Sequence, residues 1–368
     1  MLVAIFFAII LFITLIQASI PFLLKKTIAF GVTIPEGHSG DKKLANYKKI
    51  YSSIIVILGL VGLLIFTLRG LNEHLGEEQI GVMGLIIQLV LLISSMVLYL
   101  YFHIQTTKRK REMKWGENLK MVRVADLTRQ SNDEMLPSII FALPVVVTIG
   151  LIAYTAIHYP AMPDQIPTHW GPSGQPDAFT EKSPFSVIAL LLILLVTQGM
   201  MVAFNVFTKK SGVKLNAARR NSSRIQQMSF RKYTSWFMFL TSLLMTILLG
   251  FLQLTTIHGD IGGPFLMLAA PLGFMVIILL ATAIYAFKIG QGGSRIQPEI
   301  EEEAITGVTD LDDDVYWKAG VFYVNKNDPS IFVEKRFGIG WTINFGNPIG
   351  YLIIFVPVLI IIGISLSL

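Results

Sequence analysis

The chain has 368 residues, 53% of them hydrophobic and 15% charged, with a formal net charge of +6. A mean hydropathy of +0.62 excludes a soluble domain of ordinary composition. There is no cysteine, which excludes thiol catalysis, thiolate metal sites and disulfide stapling.

The apolar residues form long blocks without a helical or strand period, the pattern of membrane spans rather than of an amphipathic core. A span needs about 20 such residues to cross about 30 Å of hydrocarbon. Eight blocks qualify, roughly 1–24, 50–68, 82–102, 136–157, 185–208, 235–255, 264–287 and 350–368, and none contains Asp, Glu, Lys or Arg. The first, "MLVAIFFAIILFITLIQASIPF", has a signal-peptide alternative with cleavage after Ala18. It lacks a basic n-region, and its positive flank, Lys25 and Lys26, follows the apolar run, so an uncleaved span is predicted. Inside the spans, Gln88, Gln198 and Asn205 carry strong polarity and are expected to join helices by hydrogen bonds. Close contacts at small residues such as Gly59, Gly62 and Gly250 are expected to assemble the bundle.

The odd-numbered connections, 25–49, 103–135, 209–234 and 288–349, hold 28 of the 30 basic residues. The even-numbered ones, 69–81, 158–184 and 256–263, hold two, Arg69 and Lys182. Basic residues near span ends stay on the cytoplasmic side, so the odd connections are predicted inside and both termini outside. Seven acidic residues fall on the outer side (Glu73, Glu77, Glu78, Asp164, Asp177, Glu181 and Asp260), giving −5 outside and +11 inside. The net charge is thus a matter of sidedness, and nucleic acid is not an expected partner.

The expected fold is an α-helical integral membrane protein of about eight transmembrane helices with a small β-rich cytoplasmic unit. It divides into a three-span region (1–135), a span–loop–span unit (136–208), a basic loop with two spans (209–287), a cytoplasmic segment (288–349) and a last span (350–368). "KRKREMKW" (108–115) and "ARRNSSRIQQMSFRKYTSW" (218–236) are polybasic and suit either anionic lipid or an acidic cytoplasmic partner.

The segment 288–349 opens with "GQGGS", read as a flexible hinge, and continues with "PEIEEE" and "DLDDD". An EF-hand register starting at Asp310 fails, since Val315 and Val321 stand where Gly and Glu are required, so the acidic run is read as a solvated linker. Aromatic and β-branched runs then flank the turn-former cluster "NKNDPS", which predicts a β-hairpin and a third strand with Trp317, Phe322, Phe332 and Trp341 in a small core or on the membrane.

The outer loop 159–184 carries six of the 16 prolines. Proline fixes φ and biases its predecessor to extended conformations, while Gly171 and Gly174 permit reversals, so a rigid, extended-then-turned loop is predicted. It is either a stiffened connector or a preorganised ligand surface. The candidate ligand-binding residues are Asp164, Pro167, Thr168, His169, Trp170 and Asp177, with His169 and Trp170 foremost and the two aspartates expected to cap turns.

Within it, "MPDQIPTHWGPSGQPD" resembles the loop of SdpI-type bacterial membrane proteins at Pro163, Asp164, Ile166, Pro167, Thr168, His169, Trp170, Gly174, Pro176 and Asp177. Members of that group typically have Asn after the aromatic residue, where this chain has Gly171 and Pro172. "FGVTIP" (30–35) resembles the first inner loop of a larger relative, and "YWKAGVFYVNKNDPSIFVEKRFGIGWTINF" resembles an uncharacterised C-terminal domain found with it. The resemblance implies immunity or envelope sensing toward an extracellular peptide or cell-wall agent, without enzymatic activity or cofactor. A transporter or permease is the first alternative, with Pro144, Pro271 and Pro357 as marks of broken helices. The second is a membrane enzyme using the outer-face residues His74, His158, His169 and His258 with nearby aspartates, although no metal-type spacing supports it.

Overall fold

A computed structural model describes residues 2–71, 75–117, 119–122, 124–126, 134–171, 174–259, 261–299, 305, 307–310 and 312–368. Among the described residues, eight helices are long and apolar enough to cross a membrane: α1 (Leu2–Leu23), α2 (Lys42–Gly70), α3 (Glu77–Glu112), α4 (Ala142–His158, within a span of Ser138–Ala161), α5 (Ala189–Lys210), α6 (Arg220–His258), α7 (Gly263–Ile284) and α8 (Pro348–Leu366). Each overlaps one of the apolar runs, and the protein is a polytopic helical membrane protein. Two of the helices start at side-chain caps. Asp41 accepts from the amides of Lys43 and Leu44 ahead of α2, and Asn347 accepts from Ile349 where Pro348 opens α8. α6 extends about four turns before its apolar run, because no Gly or Pro interrupts 220–249 and the Asn216 side chain caps the amides of Ala218 and Arg219. The second polybasic segment is therefore largely helix.

Among the described residues, short strands make six two-stranded pairs: β1 (Ile28–Ala29) with β2 (Val32–Thr33), β3 (Lys120–Val122) with β8 (Val308–Asp310), β4 (Val124–Asp126) with β7 (Val213–Leu215), β5 (Gln165–Trp170) with β6 (Pro176–Glu181), β9 (Trp317–Lys318) with β10 (Phe322–Tyr323), and β11 (Phe332–Glu334) with β12 (Trp341–Ile343). The chain sorts into two compact units.

One unit is Met1–Ser131, Gly212–Phe230 and Ala283–Gly346. α1, α2 and α3 pack through small residues, as expected, but against large side chains rather than one another. A Cβ on Gly59 would collide with Thr14, one on Gly62 would lie 2.9 Å from Ile87, and one on Gly84 would collide with Phe6. Deeper in, Tyr51 Oη and Ser95 Oγ are 2.7 Å apart, and Ser95 donates to Gln17 at 2.8 Å. Phe30 stacks on Phe102 with ring centroids 5.1 Å apart and meets Tyr51 edge-on at 5.8 Å, so the β1–β2 turn is plugged into the helices.

The four odd-numbered connections meet in this unit. β3 from the third pairs with β8 from the seventh, β4 from the third pairs with β7 from the fifth, and Arg219 of the fifth holds Glu36 of the first at 2.6 Å. The knot is Arg336. Its guanidinium bonds Asp313, Asp314, the Gly31 carbonyl at 2.8 Å and Thr33 Oγ1 at 3.0 Å, and it lies 5.0 Å over the Trp317 ring. Lys110 reaches both Asp312 and Asp314 at 2.7 Å. Asp310 accepts from the backbone amide of Ala217 at 2.6 Å and from Asn216 at 3.1 Å.

The aspartates are thus no solvated linker: Asp312, Asp313 and Asp314 pair with distant cations, and Asp310 holds the amides of Asn216 and Ala217. Burial alone would push the Asp314 carboxyl up, but Arg336 and Lys110 more than offset it and hold the carboxyl at about 2. Asp328 also sits at about 2, because hydrogen bonds from Ser330 and the charge of Lys214 outweigh its burial. Burial dominates at Asp310, and its carboxyl is shifted upward.

Two further expectations change here. "GQGGS" is not a hinge: Gln291 is buried and its side chain bonds the carbonyls of Lys335 and Gly340 and the Gly340 amide. Gly293, at φ 75°, lies so close to Gln226 that a Cβ would strike that residue's backbone. The "NKNDPS" cluster is not a hairpin turn either. It links two hairpins, β9–β10 and β11–β12, with Asp328 accepting from Tyr323 Oη at 2.8 Å and from Ser330 N at 3.0 Å. Trp317 and Phe332 are buried, Trp341 stacks on Phe230 at 5.7 Å, and Phe322 is exposed.

The other unit is Asn132–Ser211, Arg231–Thr282 and Asn347–Leu368. α4, α5 and α6 share a buried polar seam, and a Cβ on Gly250 of α6 would lie 3.0 Å from Leu151 of α4. α7 and α8 bury few of their apolar side chains, and Phe265 is 77% exposed, a surface suited to hydrocarbon.

Candidate functional site

The Pro-rich segment folds as the β5–β6 hairpin. Its base rests on a small apolar cluster of Met162, Ile166, Val187 and Ile257. Lys182, one of the two basic residues in the even-numbered connections, donates to the Met162 carbonyl at 2.7 Å and lies 5.0 Å over the Tyr159 ring. It is a structural clasp, which accounts for its place outside the charge pattern. At the tip, Gly171 N bonds Gln175 O and Gly174 N bonds Gly171 O, both at 2.9 Å. Gly174 backs onto α7, where a Cβ would lie 3.1 Å from the Met267 backbone. The loop is therefore anchored at both ends.

The pairing contains two compensating irregularities. It runs Pro167 with Phe179, His169 with Ala178 and Trp170 with Pro176, so Thr168 is extra on one strand and Asp177 on the other. Bulges re-aim side chains, and here His169 Nδ1 comes 2.5 Å from Asp177 Oδ1. A carboxylate only accepts, so the proton sits on Nδ1 and the Nε2 lone pair is left for another partner. Both side chains are more than half exposed, at 68% and 51%. Trp170, Pro167 and Thr168 are half-buried beside them, and Asp164 is exposed, with its backbone carbonyl accepting from Lys182 N. Among the described residues, Asp177 holds the imidazole. Gly171 supplies room for this pair, since a Cβ there would lie 3.0 Å from Asp177 Oδ2. Pro172 and Ser173 lie outside the described residues.

The other histidines of the even-numbered side form a separate group. Tyr154 Oη and His258 Nε2 are 2.8 Å apart, and the His158 and His258 ring centroids are 5.5 Å apart. Glu73, His74 and Asp260 lie outside the described residues. Among the described residues, no three His, Asp or Glu side chains are grouped as metal ligands.

Below the hairpin runs the seam. On α6, Arg231, Ser235, Ser242, Thr246 and Gln253 are buried at spacings of four, seven, four and seven, which place them on one helix face. They meet Gln198, Asn205 and Thr208 of α5 and Thr148 and Thr155 of α4, all buried. Gln253 bonds Thr155 Oγ1 at 3.2 Å and Val187 O at 2.9 Å. Ser235 donates to Asn205 at 2.7 Å. Arg231 bonds the carbonyls of Thr208 and Ser211, capping the end of α5. Gln198 and Asn205 thus join helices as expected. Gln253, Gln17 and Arg336 were not singled out by sequence; the four-seven spacing on α6 was the signal for the first of these.

The fold and this hairpin define a polytopic membrane protein that displays a braced β-hairpin from a three-helix polar core. Residues 139–195, covering α4, the hairpin and the start of α5, match a domain of unknown function, DUF1648. Residues 326–351, covering β11, β12 and the start of α8, match a family of unknown function, DUF5808. Neither match carries the SdpI name, so that resemblance stands on the hairpin's own residues. No curated protein and no solved structure matches the chain.

Proposed function

We propose that the protein is a non-enzymatic plasma-membrane receptor for immunity or envelope sensing, whose hairpin engages an extracellular peptide or cell-wall agent. The observation that carries this reading is the exposed His169–Asp177 pair beside Trp170 on a hairpin anchored at both ends. Such a surface loses little entropy on binding. Trp170 offers a packing face and His169 Nε2 a hydrogen-bond acceptor; Asp164, Pro167 and Thr168 complete the contact face.

On the opposite side, Arg109, Lys110, Lys214, Arg219 and Arg231 are occupied by partners within the protein. Exposed lysines of the odd-numbered connections, such as Lys42, Lys43 and Lys49, serve anionic lipid headgroups or an acidic cytoplasmic protein.

The expected result is that deleting the protein sensitises cells to a secreted killing peptide, and that His169→Ala or Trp170→Ala reproduces the deletion at normal protein levels. Unchanged sensitivity across killing peptides, with both substitutions silent, removes the reading. A photoreactive side chain at position 170 would capture the ligand directly.

The reading requires the hairpin to face the medium. Because the chain has no cysteine, Gln175→Cys should react with an impermeant maleimide in intact cells, and Asn327→Cys only after lysis. The reverse pattern inverts the topology.

The polar seam favours a second reading, a permease. Flux of labelled solutes into vesicles containing the purified protein separates the two.

A further inference from the structure

Midway along the seam, Gln198 has a lopsided set of hydrogen bonds. Its amide nitrogen carries two hydrogens and lies near three oxygens: Thr148 Oγ1 at 2.8 Å, Thr246 Oγ1 at 2.9 Å and Pro144 O at 3.2 Å. Each threonine hydroxyl spends its single proton on the carbonyl four residues earlier, Pro144 at 2.9 Å and Ser242 at 2.7 Å. Both hydroxyls can then only accept from Gln198. That fixes the amide with its nitrogen toward them and its oxygen away.

Gln198 Oε1 and Ser242 Oγ are buried and have no hydrogen-bond partner among the described residues. Each residue is 1% exposed. Ser242 stands one turn before Thr246 on the same face of α6, and its carbonyl accepts from the same Thr246 hydroxyl that Gln198 donates to, which ties the two residues through one hydrogen-bond chain. One is an acceptor without a donor; the other is a hydroxyl whose proton is unused. Leaving such groups dry inside an apolar bundle is costly, and native structures rarely do it.

We propose that Gln198 Oε1 and Ser242 Oγ form an internal binding site for one small neutral hydrogen-bonding ligand, a water molecule in the resting protein. A water can donate to the Gln198 carbonyl and accept from the Ser242 hydroxyl at once, which closes the mismatch. A metal cation fits worse, since it cannot use the hydroxyl's proton and needs several oxygen ligands, while the nearby Pro144 and Ser242 carbonyls are already engaged. The site lies within the α4–α5–α6 layer, independent of what the hairpin binds.

The test is Ser242→Ala in purified full-length protein. With a bridging water, the substitution strands the Gln198 oxygen, and Tm falls by about 2–4 °C. A dry site would instead lose an unsatisfied hydroxyl, so an unchanged or raised Tm overturns the proposal. If the variant does not fold, a high-resolution structure of the unaltered protein decides. A density peak within about 3.2 Å of both oxygens supports the site. A direct Ser242–Gln198 bond, or no peak, overturns it.

Discussion

Arg336→Ala should destabilise the protein by about 3–5 kcal/mol, the range for removing one partner of a buried, hydrogen-bonded ion pair. The guanidinium is 7% exposed and serves Asp313, Asp314, Thr33 and the Gly31 carbonyl together. Its loss leaves Asp314 to Lys110 and the Thr33 amide and hydroxyl, and Asp313 to Lys214 at 4.0 Å. Arg336→Lys should recover less than half of the loss, because an ammonium cannot present the planar fork that reaches four partners. Thermal unfolding of the purified protein measures both.

The same centre sets an acid limit. The folded carboxyls of Asp314 and Asp328 sit at about 2, below the usual 3.8. Groups depressed in this way stabilise the fold above their unfolded pKa, and the contribution is lost as pH falls through the folded value. For Asp314 that contribution is about 2 kcal/mol at neutral pH. Stability should therefore hold from pH 7 to about 4 and fall between about 4 and 2. Asp310 has the opposite shift, so its protonation stabilises the fold as pH falls toward the usual 3.8, above the window in which the Asp314 and Asp328 contributions are lost. In Arg336→Ala the burial of Asp314 is less opposed, so the acid transition should move upward. An unmoved transition would mean that Arg336 does not hold this carboxyl.

Local features were legible in the sequence. An apolar run needs no knowledge of its neighbours to become a span, and the Lys/Arg asymmetry grouped the four connections that prove to pack together. The acidic run was misread because its meaning is non-local: Lys110 is 204 residues from Asp314, and nothing near Asp314 in sequence announces it. Arg336 is only 22 residues away, yet the β9–β10 hairpin lies between them and Arg336 sits in the turn of the β11–β12 hairpin, so both hairpins have to form first. Gly290–Gly293 looked flexible for a related reason. Composition records that glycine permits motion, whereas the packing of Gly293 on Gln226 uses glycine for close approach. In the Pro-rich segment, stiffness and the candidate residues could be read directly. The His169–Asp177 pairing could not, because it depends on a bulge in each strand.

Gly31→Ala is expected to be the most damaging conservative change, at about 3 kcal/mol or more. Gly31 has φ 78°, where a side chain costs about 1–2 kcal/mol of backbone energy. A Cβ there would also strike Tyr99 Oη and come within 2.9 Å of the Gly320 Cα. Overpacking of this kind adds about 1–3 kcal/mol when the neighbours cannot retreat. They cannot. Tyr99 is fully buried, its ring lies 4.0 Å from that of Phe337, and its hydroxyl bonds the Ala319 carbonyl. The carbonyls on either side of the position are also spoken for. Phe30 O accepts from His103 Nδ1 at 2.7 Å, which fixes that imidazole's proton on Nδ1, and Gly31 O accepts from Arg336. A shift of the turn would loosen α3, the β1–β2 hairpin and the Arg336 centre at once. Gly37→Ala is the control: it lies in the same connection, has open space around its Cβ position, and should change Tm little. Equal Tm values for the two variants would show that the turn is not wedged against Tyr99 and Gly320.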